Sequence, residues 1–155
     1  MVLSAGKVVS VELEPTRERL GKTIGEKFPG AGEAAADRTG PGKTLREYSE
    51  GRILSEKDIA ALPVDWDRIS PFQLKVLRKT AKIPYGKTAT YGEIAAEVGN
   101  PGAARAVGAA LARNPWPVLV PCHRVIGKGG SLVGFGKGIA AKDALLKFEE
   151  RNLRR

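Results

Sequence analysis

The sequence predicts an α/β protein with a small N-terminal α/β domain, residues 1–65, and a mainly α-helical C-terminal domain, residues 66–155. The second part carries sharp helix start and stop signals, whereas the first contains a stretch rich in Gly, Ala and Pro. Charge changes at the same place. Residues 1–65 carry 10 Lys and Arg against 11 Asp and Glu, a net charge of −1, and residues 66–155 carry 16 against 6, a net charge of +10.

The N-terminal part shows one strand pattern and three helix patterns. Residues 8–13 alternate partially and predict a strand, and residues 16–28 mix charged and apolar side chains as a helix does. A loop or linker is predicted at residues 29–42, followed by short helices at residues 43–50 and 55–62. None of these segments carries a motif with recognisable chemistry.

The first C-terminal helix is marked at both ends. Ser70 is a typical N-cap, Pro71 suits the first helical position, and Gln73 completes a capping box. The helix is expected to end before Pro84, because proline cannot continue a helix. Its apolar stripe consists of Phe72, Val76 and Leu77.

Two further helices follow closely and predict a helix-turn-helix. Thr90-Tyr91-Gly92-Glu93 forms a second capping box, and Gly99 marks the end of that helix. After a turn at residues 100–102, a third helix is predicted from residue 103 to about residue 113. Its expected buried residues are Ala104, Val107 and Leu111.

Arg105 lies in the first turn of the third helix and is predicted to face away from its apolar stripe. A cation at this end opposes the helix dipole, so another interaction is expected to favour it. In a basic helix-turn-helix this position is typical of a DNA contact, although a solvated surface arginine is the simpler alternative. Gly108 and the neighbouring alanines keep the helix thin enough to approach DNA closely.

Composition limits the class of protein. No run of 18 apolar residues is present and no apolar signal core follows Met1, so we expect a protein without a membrane span that stays in the cytoplasm or nucleus, with the cytoplasm favoured. One cysteine cannot form an internal disulfide, and one cysteine with one histidine is too few for a protein-only zinc site. We therefore expect no metal and no cofactor. The excess positive charge predicts a polyanionic partner, with a merely basic surface as the alternative.

The strongest chemical signal is Pro121-Cys122-His123-Arg124-Val125, which holds the only cysteine and the only histidine of the chain. Cysteine reacts as the thiolate, and a neighbouring imidazole can lower its pKa, although a lone cysteine is more often a small buried apolar residue. Residues 118–120 predict a buried strand that leads to the thiol. Because successive strand side chains point to opposite faces, a thiol–imidazole contact needs a turn at the cysteine or a bridging water.

Four segments together resemble the O6-alkylguanine-DNA alkyltransferases, and the resemblance covers residues 65–150. The segments are Tyr91, residues 100–108 (Asn-Pro-Gly-Ala-Ala-Arg-Ala-Val-Gly), Asn114-Pro115 and the pentapeptide at residues 121–125. The resemblance implies an RNase H-like N-terminal domain and a winged-helix-like C-terminal domain. It also implies irreversible, stoichiometric transfer of an alkyl group from O6-alkylguanine in double-stranded DNA to the protein, with base flipping. Acceptance of O4-alkylthymine stays open.

The resemblance also assigns roles to individual residues. Cys122 would accept the alkyl group, and His123 would act through a water as its base, oriented by Glu149. Tyr91 would give a proton to guanine N3, and Asn114 would be the hinge before the thiol segment. The protein would be a monomer, with cooperative binding along DNA left open.

Arg105 would be the finger that replaces the flipped nucleotide, and the carbonyls of Cys122 and Val125 would accept from the guanine amine. The implied pocket walls are Pro117, Val133, Gly134, Phe135 and Gly136. The implied DNA contacts are Tyr91, Ala103, Ala104, Arg105, Gly108, Arg113 and Arg124. Many relatives carry Tyr and Ser where this chain has Phe135 and Gly136, so the pocket size stays open, and the structural zinc of some relatives has no ligands here.

Two alternatives come from other classes. A non-catalytic lesion-binding protein of the alkyltransferase-like kind would lack the thiol, and Cys122 argues against it. An unrelated thiol hydrolase would need separate oxyanion and acid partners and would not explain the basic helix-turn-helix.

Overall fold

The computed structural model describes residues 2–4, 7–11, 40–51, 57, 63 and 65–154. Within them, helices predominate over two short two-stranded sheets, in agreement with the predicted α/β class. The helix predicted at residues 16–28 lies outside the described residues, as does the helix at residues 55–62 except for one residue. No helix among the described residues is long and apolar enough to cross a membrane.

The N-terminal part begins with a hairpin of β1 (Val2–Ser4) and β2 (Lys7–Ser10), which pair antiparallel. The described strand thus covers the start of the predicted one. Val11 follows it and is buried, and its N–H donates to the carbonyl of Pro115 at 2.7 Å. The hairpin is therefore joined by its backbone to the segment that leads to the thiol.

Helix α1 (Gly40–Ser49) begins inside the stretch predicted as a loop. Glycine and proline suggested a break at residues 40–42, but proline is tolerated in the first turn of a helix, where its missing N–H has no intrahelical partner. The helix carries one fully packed aromatic residue, Tyr48, which is 5% exposed.

Helix α2 (Pro71–Thr80) begins and ends as predicted, and the Ser70 hydroxyl accepts from the N–H of Gln73 at 3.3 Å. The predicted capping-box role of the Gln73 side chain is wrong. Its Nε2 instead donates to the carbonyls of Ala110 and Arg113, at 3.2 and 3.0 Å. Helix α2 packs against the later helix α4 (Ala104–Ala112). The Gln73 amide therefore caps the C-terminal end of α4 and not the N-terminal end of α2.

The helix pair α3 (Tyr91–Glu97) and α4 agrees with the predicted pattern of two short helices joined by a tight turn. The Thr90–Glu93 capping box forms in both directions, and Gly99 has a φ of +84°, which glycine adopts without strain. Val107 and Leu111 are buried as expected. Ala104 is only partly buried, and Ala110 occupies the core position instead.

The predicted strand at residues 118–120 is wrong in conformation, although its burial is as expected. The segment forms a turn in which Val118 has a φ of +73° and the N–H of Val120 donates to the carbonyl of Trp116 at 2.7 Å. A short 3-10 helix, Cys122–Arg124, follows directly. It leads into β4 (Val125–Ile126), which pairs parallel with β3 (Ala89–Thr90) just before α3.

Helix α5 (Ile139–Leu153) closes the described chain and packs against the 3-10 helix. Its expected apolar residues Leu145, Leu146 and Phe148 are partly buried, whereas Lys142 and Glu149 are fully buried. The main core lies among α2, α3, α4 and the thiol segment. A second cluster joins α1 to α5 through Tyr48, Tyr85, Val118, Leu45, Leu145 and Phe148.

Candidate active site

The thiol of Cys122 lies at the start of the 3-10 helix and is 5% exposed. Asn114, at the end of the turn after α4, donates from Nδ2 to Sγ at 3.0 Å and to the carbonyl of Val120 at 2.9 Å. Its Oδ1 accepts from the N–H of Trp116 at 3.0 Å, which fixes the orientation of the amide. Asn114, which the resemblance counts among the catalytic residues as a hinge, therefore also contacts the sulfur.

Two opposing effects set the pKa of Cys122. Burial raises it, because a thiolate is poorly solvated in the interior. The Asn114 amide, the backbone N–H groups of Cys122 and His123, and the charge of Lys142 all lower it. Since burial is the largest effect, the sulfur is held as a thiol, in contact with groups that would stabilise its thiolate.

The imidazole of His123 is fully buried and its Nε2 lies 2.8 Å from Oε1 of Glu149. Burial lowers the pKa of His123, and the Glu149 hydrogen bond raises it in opposition. With burial dominant, the imidazole is neutral near pH 7. Nε2 then carries the proton that it donates to the carboxylate, which leaves the lone pair on Nδ1.

Nδ1 of His123 has no hydrogen-bond partner among the described residues, although it is buried. It is therefore the basic atom of the imidazole, held in one tautomer by Glu149. The 3-10 turn at residues 122–124 supplies the turn that the sequence requires if thiol and imidazole are to cooperate.

The carboxylate of Glu149 is the centre of a buried polar network. Besides His123, Oε1 accepts from the hydroxyl of Tyr48 at 2.9 Å and from the guanidinium of Arg124 at 2.9 Å, and Oε2 accepts from the N–H of Gly86 at 2.9 Å. Burial by itself would raise the pKa of Glu149, but the hydrogen bonds from His123 and Arg124 lower it to about 2. The carboxylate is therefore ionised at neutral pH.

The structure corrects one predicted DNA contact. Arg124 is 1% exposed, and its guanidinium is committed to Glu149 and to the carbonyl of Ile83, at 2.7 Å. The resemblance implied a DNA contact for Arg124, but the 3-10 turn directs the side chain into the interior. Arg124 is a structural partner of Glu149.

Tyr91 lies at the first position of α3, and its hydroxyl donates towards the carbonyls of Val133 and Gly134, at 2.8 and 3.0 Å. Burial raises its pKa, and the nearby Cys122 acts in the same direction. The hydroxyl is therefore protonated at neutral pH. The same half-buried side chain was predicted as a proton donor, which requires this state.

Lys142 is a functional candidate that the sequence reasoning missed. Its ammonium is buried and donates to the carbonyls of Val125 and Val133, at 2.6 and 2.9 Å, and more distantly to the hydroxyl of Tyr91 at 3.4 Å. Burial lowers its pKa, and the neighbouring Cys122 opposes that change. Lys142 thus places one positive charge near the Cys122 thiol, the Tyr91 hydroxyl and the loop carbonyl of Val133.

The loop at residues 133–136 lies over this cluster. Gly134 has a φ of +61°, and a Cβ there would lie 3.1 Å from the Tyr91 hydroxyl. A Cβ on Gly136 would lie 2.7 Å from the carbonyl oxygen of Ala112, which is too close for any side chain. Phe135 is partly buried against the core, and Pro117 is buried on the thiol segment.

The residues on and beside α4 that are predicted to contact DNA differ in their solvent exposure. Arg105 and Arg113 are exposed, whereas Ala103, Ala104 and Gly108 are partly buried. A Cβ on Gly108 would lie 3.7 Å from the Tyr91 ring, an ordinary van der Waals contact, so the spacing between α4 and Tyr91 does not itself require glycine. No group of His, Cys, Asp and Glu able to hold a metal occurs in the part of the chain that the structure describes.

Residues 71–151, more than half of the chain, match the family model described as "6-O-methylguanine DNA methyltransferase, DNA binding domain". The chain belongs to this methyltransferase family. A methylated-DNA–protein-cysteine methyltransferase of Mycobacterium tuberculosis is 47% identical to it over 150 residues, which cover 96% of this chain and 81% of the relative. The matched region contains every residue of the cluster described above except Tyr48.

Solved structures of the methyltransferase family share the fold. A crystal structure of a variant of M. tuberculosis OGT aligns with a TM-score of 0.74 at 36% identity, over 95% of this chain and 82% of that one. The structure of M. tuberculosis OGT in complex with DNA aligns with a TM-score of 0.64 at 44% identity, over 71% of this chain. The second alignment spans 65% of the solved chain, just under two thirds of its length.

Proposed function

We propose that the protein repairs DNA by direct reversal, accepting the alkyl group of O6-alkylguanine onto Cys122. The observation that carries the proposal is the pairing of a sulfur hydrogen-bonded by Asn114 with a histidine whose tautomer is fixed by Glu149. A buried thiol with a raised pKa needs a base, and the free Nδ1 of a neutral imidazole is one. Membership of the methyltransferase family supports the same reaction.

In the proposed reaction His123 takes the thiol proton through a water, and the Cys122 thiolate attacks the alkyl carbon. The new S–C bond forms as the bond from carbon to guanine O6 breaks, and the electron pair stays with the guanine. Tyr91 gives a proton to N3, so guanine leaves as a neutral base. No step regenerates the thiol, so each protein molecule reacts once.

The substrate contacts proposed here extend from this cluster. The carbonyl oxygen of Val125 has a second lone pair beside its bond to Lys142, which is available to the guanine amine together with the Cys122 carbonyl. A duplex holds the target atom out of reach of a protein thiol, so the base must be flipped out. Arg105, exposed in the first turn of α4, would fill the gap that the base leaves. The proposed pocket walls are Pro117, Val133, Gly134, Phe135 and Gly136.

The finer organisation is proposed on the same family basis. Residues 1–65 would form an RNase H-like domain and residues 66–155 a winged-helix-like DNA-binding domain. The protein would act as a cytoplasmic monomer on double-stranded DNA, and it would need no cofactor. The exposed Arg105 on α4 and the exposed Arg113 directly after it, with Ala103, Ala104, Gly108 and Tyr91, would form its DNA surface.

The test is the intact mass of the protein after incubation with a duplex that contains a single O6-benzylguanine. We expect one benzyl adduct per chain, located on Cys122 and formed without turnover. Cys122→Ala is expected to bind the same duplex but to gain no mass. An unmodified wild-type protein that still binds the lesion would identify a non-catalytic lesion binder, and multiple turnover would identify a hydrolase.

A further inference from the structure

Tyr48 reaches the buried carboxylate from outside the matched family region. It lies on α1, and its hydroxyl donates to Oε1 of Glu149 at 2.9 Å across 101 positions of sequence. Oε1 is the oxygen that also faces Nε2 of His123. Burial and the carboxylate raise the pKa of Tyr48, so its hydroxyl is a permanent donor.

The Tyr48 hydroxyl is held in place by its ring. The ring centroid lies 5.9 Å from that of Tyr85 in an edge-to-face arrangement and 5.6 Å from that of Phe148. Such pairs prefer defined orientations, so packing of the ring sets the position of the hydroxyl oxygen, and the O–H bond turns towards the carboxylate. The donor is therefore a fixed part of the environment of Glu149.

We propose that Tyr48 is a positioning residue for alkyl transfer, which holds Oε1 of Glu149 and moderates its basicity towards His123. The inference rests on the proposed function and adds a contribution of the N-terminal part to it. Several donors share the charge of Oε1, and each donor weakens the bonds that the others make. Without the Tyr48 hydroxyl, the carboxylate attracts the Nε2 proton more strongly and stabilises the imidazolium, which cannot act as a base.

Other charges around the imidazole stay in place when Tyr48 is changed. Glu149 faces His123 from α5, Arg124 follows His123 in the 3-10 helix, and Lys142 lies on α5 about two turns before Glu149. Among the described residues the Tyr85 hydroxyl accepts from Nδ2 of Asn152 at 3.1 Å, and its hydrogen bond is not to the carboxylate. A change confined to the Tyr48 hydroxyl thus isolates one donor of the network.

The experiment compares Tyr48→Phe with the matched control Tyr85→Phe, which removes a hydroxyl from the same aromatic cluster without touching Glu149. His123 is the only histidine, so its imidazole NMR signals report its titration without ambiguity. We expect Tyr48→Phe to move the His123 midpoint to higher pH, and Tyr85→Phe to leave it unchanged. The rate of adduct formation should fall about three- to tenfold on the acidic side and recover at higher pH.

Three results would overturn the proposal. They are an unchanged His123 midpoint in Tyr48→Phe, an equal shift in both variants, and a Tyr48→Phe protein that is unfolded where Tyr85→Phe is folded. The last would give the hydroxyl a purely structural role. Because the NMR titration needs no substrate, it decides the role of Tyr48 even if the wild-type protein forms no adduct, which would contradict the proposed function separately.

Discussion

The guanidinium of Arg124 binds both carboxylate oxygens of Glu149, with Nε 3.1 Å from Oε1 and 3.0 Å from Oε2. Both side chains are almost completely buried. Removing one partner of such a pair leaves the other charge uncompensated in the interior, which costs far more than the loss of a surface ion pair. The stability of the protein and the orientation of His123 therefore depend on the same carboxylate.

Glu149→Gln is expected to lower the free energy of unfolding by about 3–5 kcal/mol, because it leaves the buried charge of Arg124 without its partner. Denaturant unfolding measures the change. The control is Glu150→Gln, which removes an exposed carboxylate from the same helix and its ion pair with Arg154, and should cost less than about 1 kcal/mol. Equal losses in the two variants would contradict the role given to the buried pair.

Acid should destabilise the protein through the same network. The folded-state pKa of Glu149, about 2, lies below its ordinary value of 4.5, so its contribution is present above pH 4.5 and is lost as the pH falls through about 2. The contribution is on the order of 3 kcal/mol. The pKa of His123 is also lowered in the fold, so its contribution begins to fall below pH 6.5.

Unfolding free energies measured between pH 7 and pH 2 check this dependence. The wild-type protein should lose stability throughout that range, and the Glu149→Gln variant should show a shallower loss below pH 4.5. A wild-type profile that is flat down to pH 3 would show that neither group is coupled to folding.

Asn114→Ala should raise the pKa of Cys122 further, since the amide that stabilises the thiolate is removed. Asn114→Asp should raise it more, because a carboxylate repels the thiolate. The rate of iodoacetamide modification against pH measures both changes on the only thiol of the chain. The exposed Asn100→Ala serves as a control and should match the wild-type profile. A lower Cys122 pKa in Asn114→Asp than in Asn114→Ala would contradict a contact between residue 114 and the sulfur.

Arg105→Ala should slow adduct formation on duplex DNA by tenfold or more and leave the reaction with free O6-benzylguanine nearly unchanged, because only the duplex requires a base to be displaced. Intact mass against time gives both rates. The exposed Arg151→Ala, on α5, controls for the loss of one positive charge. Equal slowing on the two substrates would remove Arg105 from the flipping step.

Much of the fold was predictable because it is encoded locally. The ends of α2 and α3 depend on caps and on Gly99, which act within one helical turn, and the structure confirms them. The turn at residues 117–120 was not predictable in the same way. Its apolar run indicates burial but does not specify backbone angles, and Val118 adopts a positive φ that its side chain disfavours.

The site was predictable only where it coincides with a compact motif. Tyr48 and Lys142 join it through contacts between separate segments, and for Tyr48 no local pattern encodes the contact. One signal could have found the lysine. Lys142, Leu145, Leu146 and Glu149 follow the spacing of a buried helical stripe, so two charges at its ends predict paired charges in the interior.

The near-complete enclosure of Cys122 determines which electrophiles can consume the protein. Small oxidants and freely diffusing alkylating agents meet a protonated thiol on a residue that is 5% exposed, and thiols in this state react slowly with them. Because the thiol is not regenerated, an accidental reaction would inactivate the protein molecule permanently. Burial of Cys122 therefore protects unreacted protein molecules from accidental modification and keeps them available for DNA repair.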